Sequence, residues 1–145
     1  MPTPPATPQL SLRWIPGMYA VCRSGPADPL PAWVYDQLVS HSSQRSPGLV
    51  SVTRTTSECS IVVPESLVPS DARAQRGFRA LAIVGTLDFS LTGILSRLTT
   101  ALAEAQIPVF ALSTFDTDIL LVRDTDAQQT ENALAACGIR FVDES

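Results

Sequence analysis

The sequence has no lysine, since all ten of its basic residues are arginine. This excludes both a lysine Schiff base and the phosphate-binding lysine of a P-loop. No apolar run approaches the roughly 20 residues that a membrane-spanning helix requires. Residues 1–8 are rich in proline and threonine but have neither the charged nor the apolar region of a signal peptide, so they predict a disordered tail. We therefore expect a cytoplasmic protein without a membrane partner.

Positive charge is scarce and scattered, and the net charge is −4 with a pI near 4.8. Proteins that bind nucleic acid carry clustered positive charge, so a nucleic-acid partner is not expected. The three cysteines, Cys22, Cys59 and Cys137, are far apart and have apolar neighbours. They predict buried reduced thiols rather than disulfides or a zinc site. The single histidine, His41, lies in a Ser/Gln/Pro segment typical of a surface loop, which disfavours Ser-His-Asp or Cys-His catalysis.

Hydrophobic residues make up 45% of the chain, and they are distributed as in a globular protein of strands and helices. Alternating or apolar runs predict strands, and Pro16-Gly17 predicts a break between the first two. Proline near a first turn is typical of a helix start, which favours a helix after Pro31. In the first half the predicted elements are strands over Gln9–Ile15 and Met18–Arg23, a helix over Ala32–Val39, and a hairpin of Leu49–Arg54 and Cys59–Val63.

The second half gives a clearer pattern. From Leu91 to Ala105 the apolar residues recur at spacings of three, four and seven, which predicts an amphipathic helix. A second helix is predicted over Thr125–Gly138, with Thr125 and Gln128 at capping-box spacing and Gly138 as the terminator. The strands are predicted over Phe78–Gly85, Ile107–Ser113, Ile119–Arg123 and Ile139–Val142. The order βαββαβ predicts an α+β, ferredoxin-like fold with helices on one face of an antiparallel sheet.

The chain also resembles itself at a shift of 60 positions, at which Gly17 falls on Gly77 and Glu58 on Asp118. Strand, loop, helix and hairpin stay in step, so we predict two related units. The first lacks an obvious second helix, and the strand that begins at Gln9 is suggested as its missing edge strand. The predicted division is a tail over 1–8, a first unit over 9–66, a linker over 67–77 and a second unit over 78–145.

The hairpin Ser113–Val122 and the turn before it, Gly85–Ile94, together resemble ACT domains. More narrowly they are similar to small bacterial tandem-ACT proteins and to modules of the CASTOR arginine sensors. The stretch Thr55–Glu65 resembles the hairpin of their first module, so the resemblance covers nearly the whole chain. It implies two ACT modules that bind an amino acid or a similar small molecule, between modules or between the chains of a homodimer, without catalysis and without a cofactor or metal.

The carboxylate, ammonium and side chain of an amino acid suggest which residues would bind it. A helix N-terminus offers free N–H groups to a carboxylate, and Gly93 has no side chain to block its approach. An ammonium or cationic group needs an acid such as Asp118, and Phe115 offers an apolar surface. The resemblance implies that Thr114, Phe115 and Asp118 contact the ligand. The predicted ligand-binding set is Asp88, Phe89, Ser90, Thr92, Gly93, Ile94, Ser113, Thr114, Phe115 and Asp118.

Several local interpretations remain open beside this one. Asp88, Ser90 and Thr92 are also suited to capping a helix, and Asp116 and Asp118 to forming Asx turns. Glu58 marks either a second, pseudo-symmetric site or a simple hairpin residue. The alternative functions are a structural interaction domain without ligand and a small metabolic enzyme that uses Asp88 and Asp118 as acid and base. Which amino acid is bound does not follow from the sequence.

Overall fold

The computed structural model describes residues 10–40, 48–84 and 93–142. These residues divide into two compact units. The first unit is Ile15–Ala80, and the second consists of residues 10–14 together with the described residues beyond 80. Two long strands, β1 (Ser11–Ser24) and β4 (Ala74–Ile83), each contribute to both units. No helix in the described ranges is long and apolar enough to cross a membrane.

The first unit contains one helix, α1 (Ala32–Val39), and a hairpin of β2 (Ser51–Arg54) and β3 (Cys59–Pro64). β3 pairs antiparallel with β1, from Tyr19 opposite Pro64 to Ser24 opposite Cys59. Alternate residues of these strands face one core because successive side chains of a strand point to opposite faces. That core consists of Ala20, Cys22, Val34, Cys59, Ile61, Val63 and Val68. The predicted helix and hairpin are both confirmed.

The second unit continues from β4 through two helices, α2 (Ile94–Glu104) and α3 (Ala127–Ala136). Its further strands are β5 (Phe110–Ser113), β6 (Asp118–Arg123) and β7 (Arg140–Phe141). β5 and β6 pair antiparallel, and β6 also neighbours β4. The apolar stripe of α2 is buried through Leu98, Ala101 and Leu102, as its spacing predicts. The predicted α+β, ferredoxin-like architecture with helices on one side of an antiparallel sheet is confirmed.

β1 is a single strand, so the predicted break at Pro16-Gly17 is wrong. Gly17 has a φ of 95°, and Gly77 in β4, 60 positions later, has a φ of 83°. Glycine adopts positive φ without the cost that a Cβ would impose, so a strand can bend there and continue. Both residues of the Pro16-Gly17 pair are exposed, where a missing N–H donor is tolerated.

Residues 10–14 pair within the second unit, not the first. Ser11 and Leu12 lie parallel to Arg140 and Phe141 of β7, and the Val142 N–H donates to the Leu12 carbonyl at 2.8 Å. The suggestion that this segment completes the first unit as an edge strand is therefore wrong. The physical reason is that Leu10 and Leu12 are buried in the core of the second unit. β4 also begins at Ala74, inside the stretch predicted as linker.

Two predictions about α3 have different outcomes. The capping box of Thr125 and Gln128 is wrong: residues 124–126 form a 3-10 turn, and Asp126 precedes the helix without a capping side-chain bond. Gly138 does end the helix as predicted, with a φ of 79°. The Ile139 N–H then donates to the Leu134 carbonyl at 3.0 Å, which satisfies one of the last carbonyls of the helix.

All three cysteines are free thiols. Cys22 and Cys59 are buried, as the sequence predicts, but Cys137 is exposed. Cys137 directly follows the last residue of α3, where the chain turns at the surface, so its apolar neighbours in sequence do not enclose it.

Candidate functional site

The predicted site includes the turn between β5 and β6, whose first and last pairing residues are Ser113 and Asp118. The Thr114 N–H donates to the Thr117 carbonyl at 2.8 Å and closes the turn. The Thr114 hydroxyl donates to the same carbonyl at 3.2 Å and accepts from the Thr117 N–H at 3.2 Å. Threonine hydroxyls form such local bonds readily. Thr114 thus has a structural role in the turn.

The carboxylate of Asp118 already accepts one hydrogen bond from a neighbouring residue. The Ser113 hydroxyl, directly opposite in the ladder, donates to the Oδ1 atom of Asp118. A carboxylate has about four acceptor positions on two oxygens, so this bond leaves capacity for another donor. Asp118 is half-buried, which favours a fixed position for the carboxylate.

The turn is attached to the end of β4 through Thr117. The Thr117 hydroxyl donates to the carbonyl of Ile83 at 3.1 Å, and Ile83 is the last residue of β4. The contact places the hairpin turn beside the last residue of β4. The sequence places Thr117 in the polar cluster of the hairpin, but Thr117 is not in the predicted ligand-binding set. At the tip of the turn, Phe115 has 85% of its surface exposed.

Gly93 lies directly before α2 and adopts a left-handed conformation with a φ of 81°. Among the described residues, a Cβ built on Gly93 would meet no atom within 4 Å, so none of them blocks approach to its backbone. Ile94, the first residue of α2, packs against the core of the second unit and therefore has a structural role. Asp88, Phe89, Ser90 and Thr92 lie outside the described residues. The structure thus brings together the hairpin members of the predicted set, and it places Gly93 at the start of α2.

The first unit contains a turn of the same construction. The Thr55 N–H donates to the Glu58 carbonyl at 2.8 Å, and the Thr55 hydroxyl accepts from the Glu58 N–H at 3.2 Å. These bonds match those between Thr114 and Thr117. The hairpins therefore correspond at a shift of 59, which carries Glu58 onto Thr117 and not, as the shift of 60 predicts, onto Asp118. Glu58 is not the counterpart of the candidate acid.

Two arginines bond backbone carbonyls around the hairpin of the first unit. The Arg54 guanidinium donates to the carbonyls of Pro26 and Asp28, at 2.5 and 2.8 Å, in the loop between β1 and α1. Arg23 donates to the Ser57 carbonyl at 3.1 Å and lies 3.9 Å from a carboxylate oxygen of Glu58. Of the two interpretations of Glu58, these contacts favour the hairpin residue.

The second unit has no counterpart of these arginines. A shift of 59 carries Arg54 onto Ser113, and a shift of 60 carries Arg23 onto Ile83. The Asp118 carboxylate therefore has no arginine from these two positions. Within the described ranges, no group of three or more His, Cys, Asp or Glu side chains is placed to hold a metal ion. The chemistry that the hairpin offers is that of hydrogen bonding and charge pairing with a small polar molecule.

Comparison with known families gives a match for residues 73–136, which fit the model of the ACT domain. No protein with a curated description matches the chain. Among solved structures, the protein Atu0741 from Agobacterium tumefaciens is 32% identical, with a TM-score of 0.82, over 96% of both chains. That identity extends over both units of the present chain.

More distant structures share the fold. A Vibrio cholerae protein of unknown function, VC0802, described as a possible transport protein, has a TM-score of 0.69 at 16% identity, over 90% of this chain and 91% of that one. The ligand-free regulatory subunit of aspartate kinase from Thermus thermophilus has a TM-score of 0.57 at 12% identity, over 83% and 92%. These two likenesses concern the fold alone. The chain is thus similar to Atu0741 along almost its whole length, and its residues 73–136 match the ACT domain model.

Proposed function

We propose that this protein is a non-catalytic sensor of two ACT modules that binds a free amino acid and reports its level in the cytoplasm as a homodimer. The observation that carries the proposal is the hairpin Ser113–Asp118. It is fixed to the end of β4 by Thr117 and leaves acceptor capacity on Asp118 and an exposed ring on Phe115. Similarity to a regulatory subunit that has the same fold supports a regulatory role.

In this proposal the roles follow from the chemistry of each group. Asp118, held by Ser113, accepts from the ammonium or another cationic group of the ligand. The ring of Phe115 covers the apolar part of the ligand. Gly93 allows a carboxylate to approach the first N–H groups of α2, where the helix dipole favours negative charge. Asp88, Phe89, Ser90 and Thr92 remain proposed members of the same site, while Thr114 supports it by closing the turn.

Thermal unfolding in the presence of each of the common amino acids tests the proposal. A ligand that binds only the folded state raises its stability by about 2.7 kcal/mol at 100 times Kd. We expect one amino acid to raise the Tm of the natural protein, and Asp118→Asn or Phe115→Ala to reduce that rise. Glu58→Gln, at the corresponding turn of the first unit, is the matched control and should leave it intact. If equilibrium dialysis detects no bound amino acid and no Tm changes, the proposal fails.

A second candidate, a structural interaction module, is favoured by a different observation. Helix α1 exposes three apolar side chains on one face, Tyr35, Leu38 and Val39, at spacings of three and four. Sedimentation of the natural protein and of Leu38→Glu distinguishes the two. A loss of self-association in Leu38→Glu, combined with no response to any amino acid, would support this candidate instead.

A further inference from the structure

The second unit has a surface cavity of about 580 Å³ between the second half of α3 and strand β7. Its apolar lining includes Ala135, Ile139 and Phe141. Ile139 belongs to the core of this unit and Phe141 packs against that core, so both side chains lie on the face that α3 covers. Strand side chains alternate, so Arg140 between them points to the other face of the sheet. The β7 side of the cavity is therefore apolar.

Phe141 is held in place by a second aromatic side chain. Its ring stacks on Trp14, with ring centroids 5.3 Å apart and an interplanar angle of 24°. The indole N–H of Trp14 in turn donates to the Oε1 atom of Glu131, which lines the cavity from α3, at 2.6 Å. A fixed aromatic side chain beside this acid suits an apolar occupant that carries no negative charge.

Asn132 of α3 adds a hydrogen-bond donor to the lining. Its Oδ1 atom accepts from the side-chain amide of Gln128, one turn earlier in the helix, at 3.1 Å. Both N–H groups of the Asn132 amide remain as donors. Among the residues that the structure describes, none accepts from them. The cavity thus offers an apolar surface together with a donor for a carbonyl oxygen.

The chain enters β1 at the edge of this cavity. The carbonyl of Leu10, the first described residue, accepts from the Arg140 N–H at 3.4 Å. The two residues before Arg140, Gly138 and Ile139, line the cavity. Nine residues precede Leu10, and in polyproline II conformation they would span about 28 Å, at about 3.1 Å per residue. Helix α3, with ten residues, is about 15 Å long. The preceding segment is therefore long enough to cross the cavity.

We propose that residues 1–9 dock in this cavity as an intramolecular ligand in polyproline II conformation. Four of these nine residues are proline and none is charged. Proline-rich segments bind aromatic-lined grooves because their conformation is preformed and little entropy is lost on binding. The rings of Pro4 and Pro5 lie against Phe141, and a carbonyl of the same segment accepts from the amide of Asn132.

Attachment to β1 makes weak contacts sufficient for docking. A short tether gives an effective concentration of about millimolar order, so the segment does not need high affinity. Its composition predicts disorder when it is isolated, and the cavity supplies the apolar contacts that it lacks. The docked segment covers the cavity and excludes other occupants. This inference concerns a different surface from the hairpin and does not depend on the function proposed there.

The first experiment measures the ¹⁵N relaxation of the natural protein at the amides of Thr3, Ala6 and Thr7. We expect backbone order parameters above about 0.6, the level below which a backbone is flexible. The double variant Pro4→Gly and Pro5→Gly removes both rings without touching the folded units. It should lower these order parameters below about 0.6 and shift the amide signals of residues 138–141.

The cavity side is tested with two exposed polar residues of the helices. Asn132→Ala should lower the same order parameters, because it removes the proposed donor. Thr100→Ala is the matched control, since Thr100 is an exposed residue of α2 that lines the smaller neighbouring cavity, and it should leave them unchanged. Asp118→Asn should also leave them unchanged, so failure of docking and failure of the hairpin site are distinguishable.

A synthetic peptide of residues 1–9 provides an independent measurement. It should produce saturable shifts at residues 138–141 of the double variant, and it should bind the natural protein at least about tenfold more weakly, because the attached segment competes. Order parameters below about 0.6 in the natural protein overturn the proposal. Equal behaviour of Asn132→Ala and Thr100→Ala does the same. Signals of residues 138–141 that move on dilution, with unchanged order parameters at residues 3–7, would assign the cavity to a second copy instead.

Discussion

Arg54 and Ser113 occupy corresponding positions at the ends of β2 and β5, and Arg54 reaches the loop that follows β1. Its guanidinium bonds two carbonyls of that loop, at Pro26 and Asp28. Ser113 instead donates to Asp118 across its own ladder. One hairpin therefore uses its charge to fix its own unit, while the other has an acid with acceptor capacity beyond its bond from Ser113. This difference is why the proposed sensing site is assigned to the second unit.

The first prediction tests the role of Arg54. Replacing it with serine, the residue at the corresponding position of the second hairpin, removes both bonds to the loop. We expect a loss of about 1–2 kcal/mol in the free energy of unfolding, since hydrogen bonds from charged groups contribute at this level. Urea denaturation measures the loss. Arg54→Lys keeps the charge but not the forked donors. Its free energy of unfolding should therefore lie between those of Arg54→Ser and the natural protein. Equal stability of Arg54→Ser and the natural protein would contradict a clamping role.

The second prediction compares two glycines of positive φ. A Cβ at Gly93 meets none of the described residues, whereas a Cβ at Gly48 would overlap the hydroxyl of the buried Tyr19. Gly93→Ala should therefore cost only the backbone strain, about 1 kcal/mol. Gly48→Ala adds overpacking to that strain and should cost about 1–3 kcal/mol more. Chemical denaturation of the two variants in parallel measures the free energy of unfolding that each loses. A larger loss for Gly93→Ala than for Gly48→Ala would contradict the prediction.

Local sequence pattern was sufficient for most elements of this fold. The spacing of Leu98 and Leu102 on α2, and the positive φ of Gly138 that ends α3, express preferences of a few neighbouring residues. Such local preferences can be predicted from a single sequence. The hairpin turns could be predicted for the same reason, because Thr55 and Thr114 form hydrogen bonds within their own turns.

Two of the wrong predictions, the edge strand that begins at Gln9 and the shift of 60 for the hairpins, depend on contacts between distant parts of the chain. Nothing near Leu12 in the sequence reveals that its partner is Phe141. The shift of 59 that carries Glu58 onto Thr117 became visible only from hydrogen bonds, because one residue of difference does not disturb the strand pattern. Strand register depends on long-range pairing, and a single step changes which side chains correspond.

The third prediction concerns the thiols. Burial raises the pKa of Cys22, opposed by the nearby charge of Arg76, and the thiolate is the reactive form. Cys137 is exposed and free. We expect a thiol reagent such as Ellman's reagent to modify one thiol of the folded protein rapidly and the other two only on unfolding. Cys137→Ser should remove the rapid phase. A rapid phase that persists in Cys137→Ser would show that the first-unit core opens readily.

The last prediction is a dependence of stability on pH at the alkaline end, from Tyr19. Its hydroxyl donates to the Pro16 carbonyl at 3.2 Å and accepts from the Leu49 N–H at 3.0 Å. Burial raises the pKa of Tyr19, and the hydrogen bond from Leu49 acts in the opposite direction. The folded protein thus favours the neutral phenol more than the unfolded chain does. The resulting stabilisation is complete below the unfolded pKa, about 10, and is lost as the pH rises through the folded pKa.

Comparison with Tyr19→Phe isolates this effect. The variant loses both hydrogen bonds of the hydroxyl and leaves the Leu49 N–H without that acceptor, so it should be less stable near neutral pH by about 1–2 kcal/mol. Above about pH 10 its stability should fall less steeply than that of the natural protein, because a phenyl ring does not ionise. Urea denaturation at a series of pH values measures both effects. Parallel curves for the two proteins would mean that Tyr19 ionises equally easily in the folded and unfolded states, contrary to its burial.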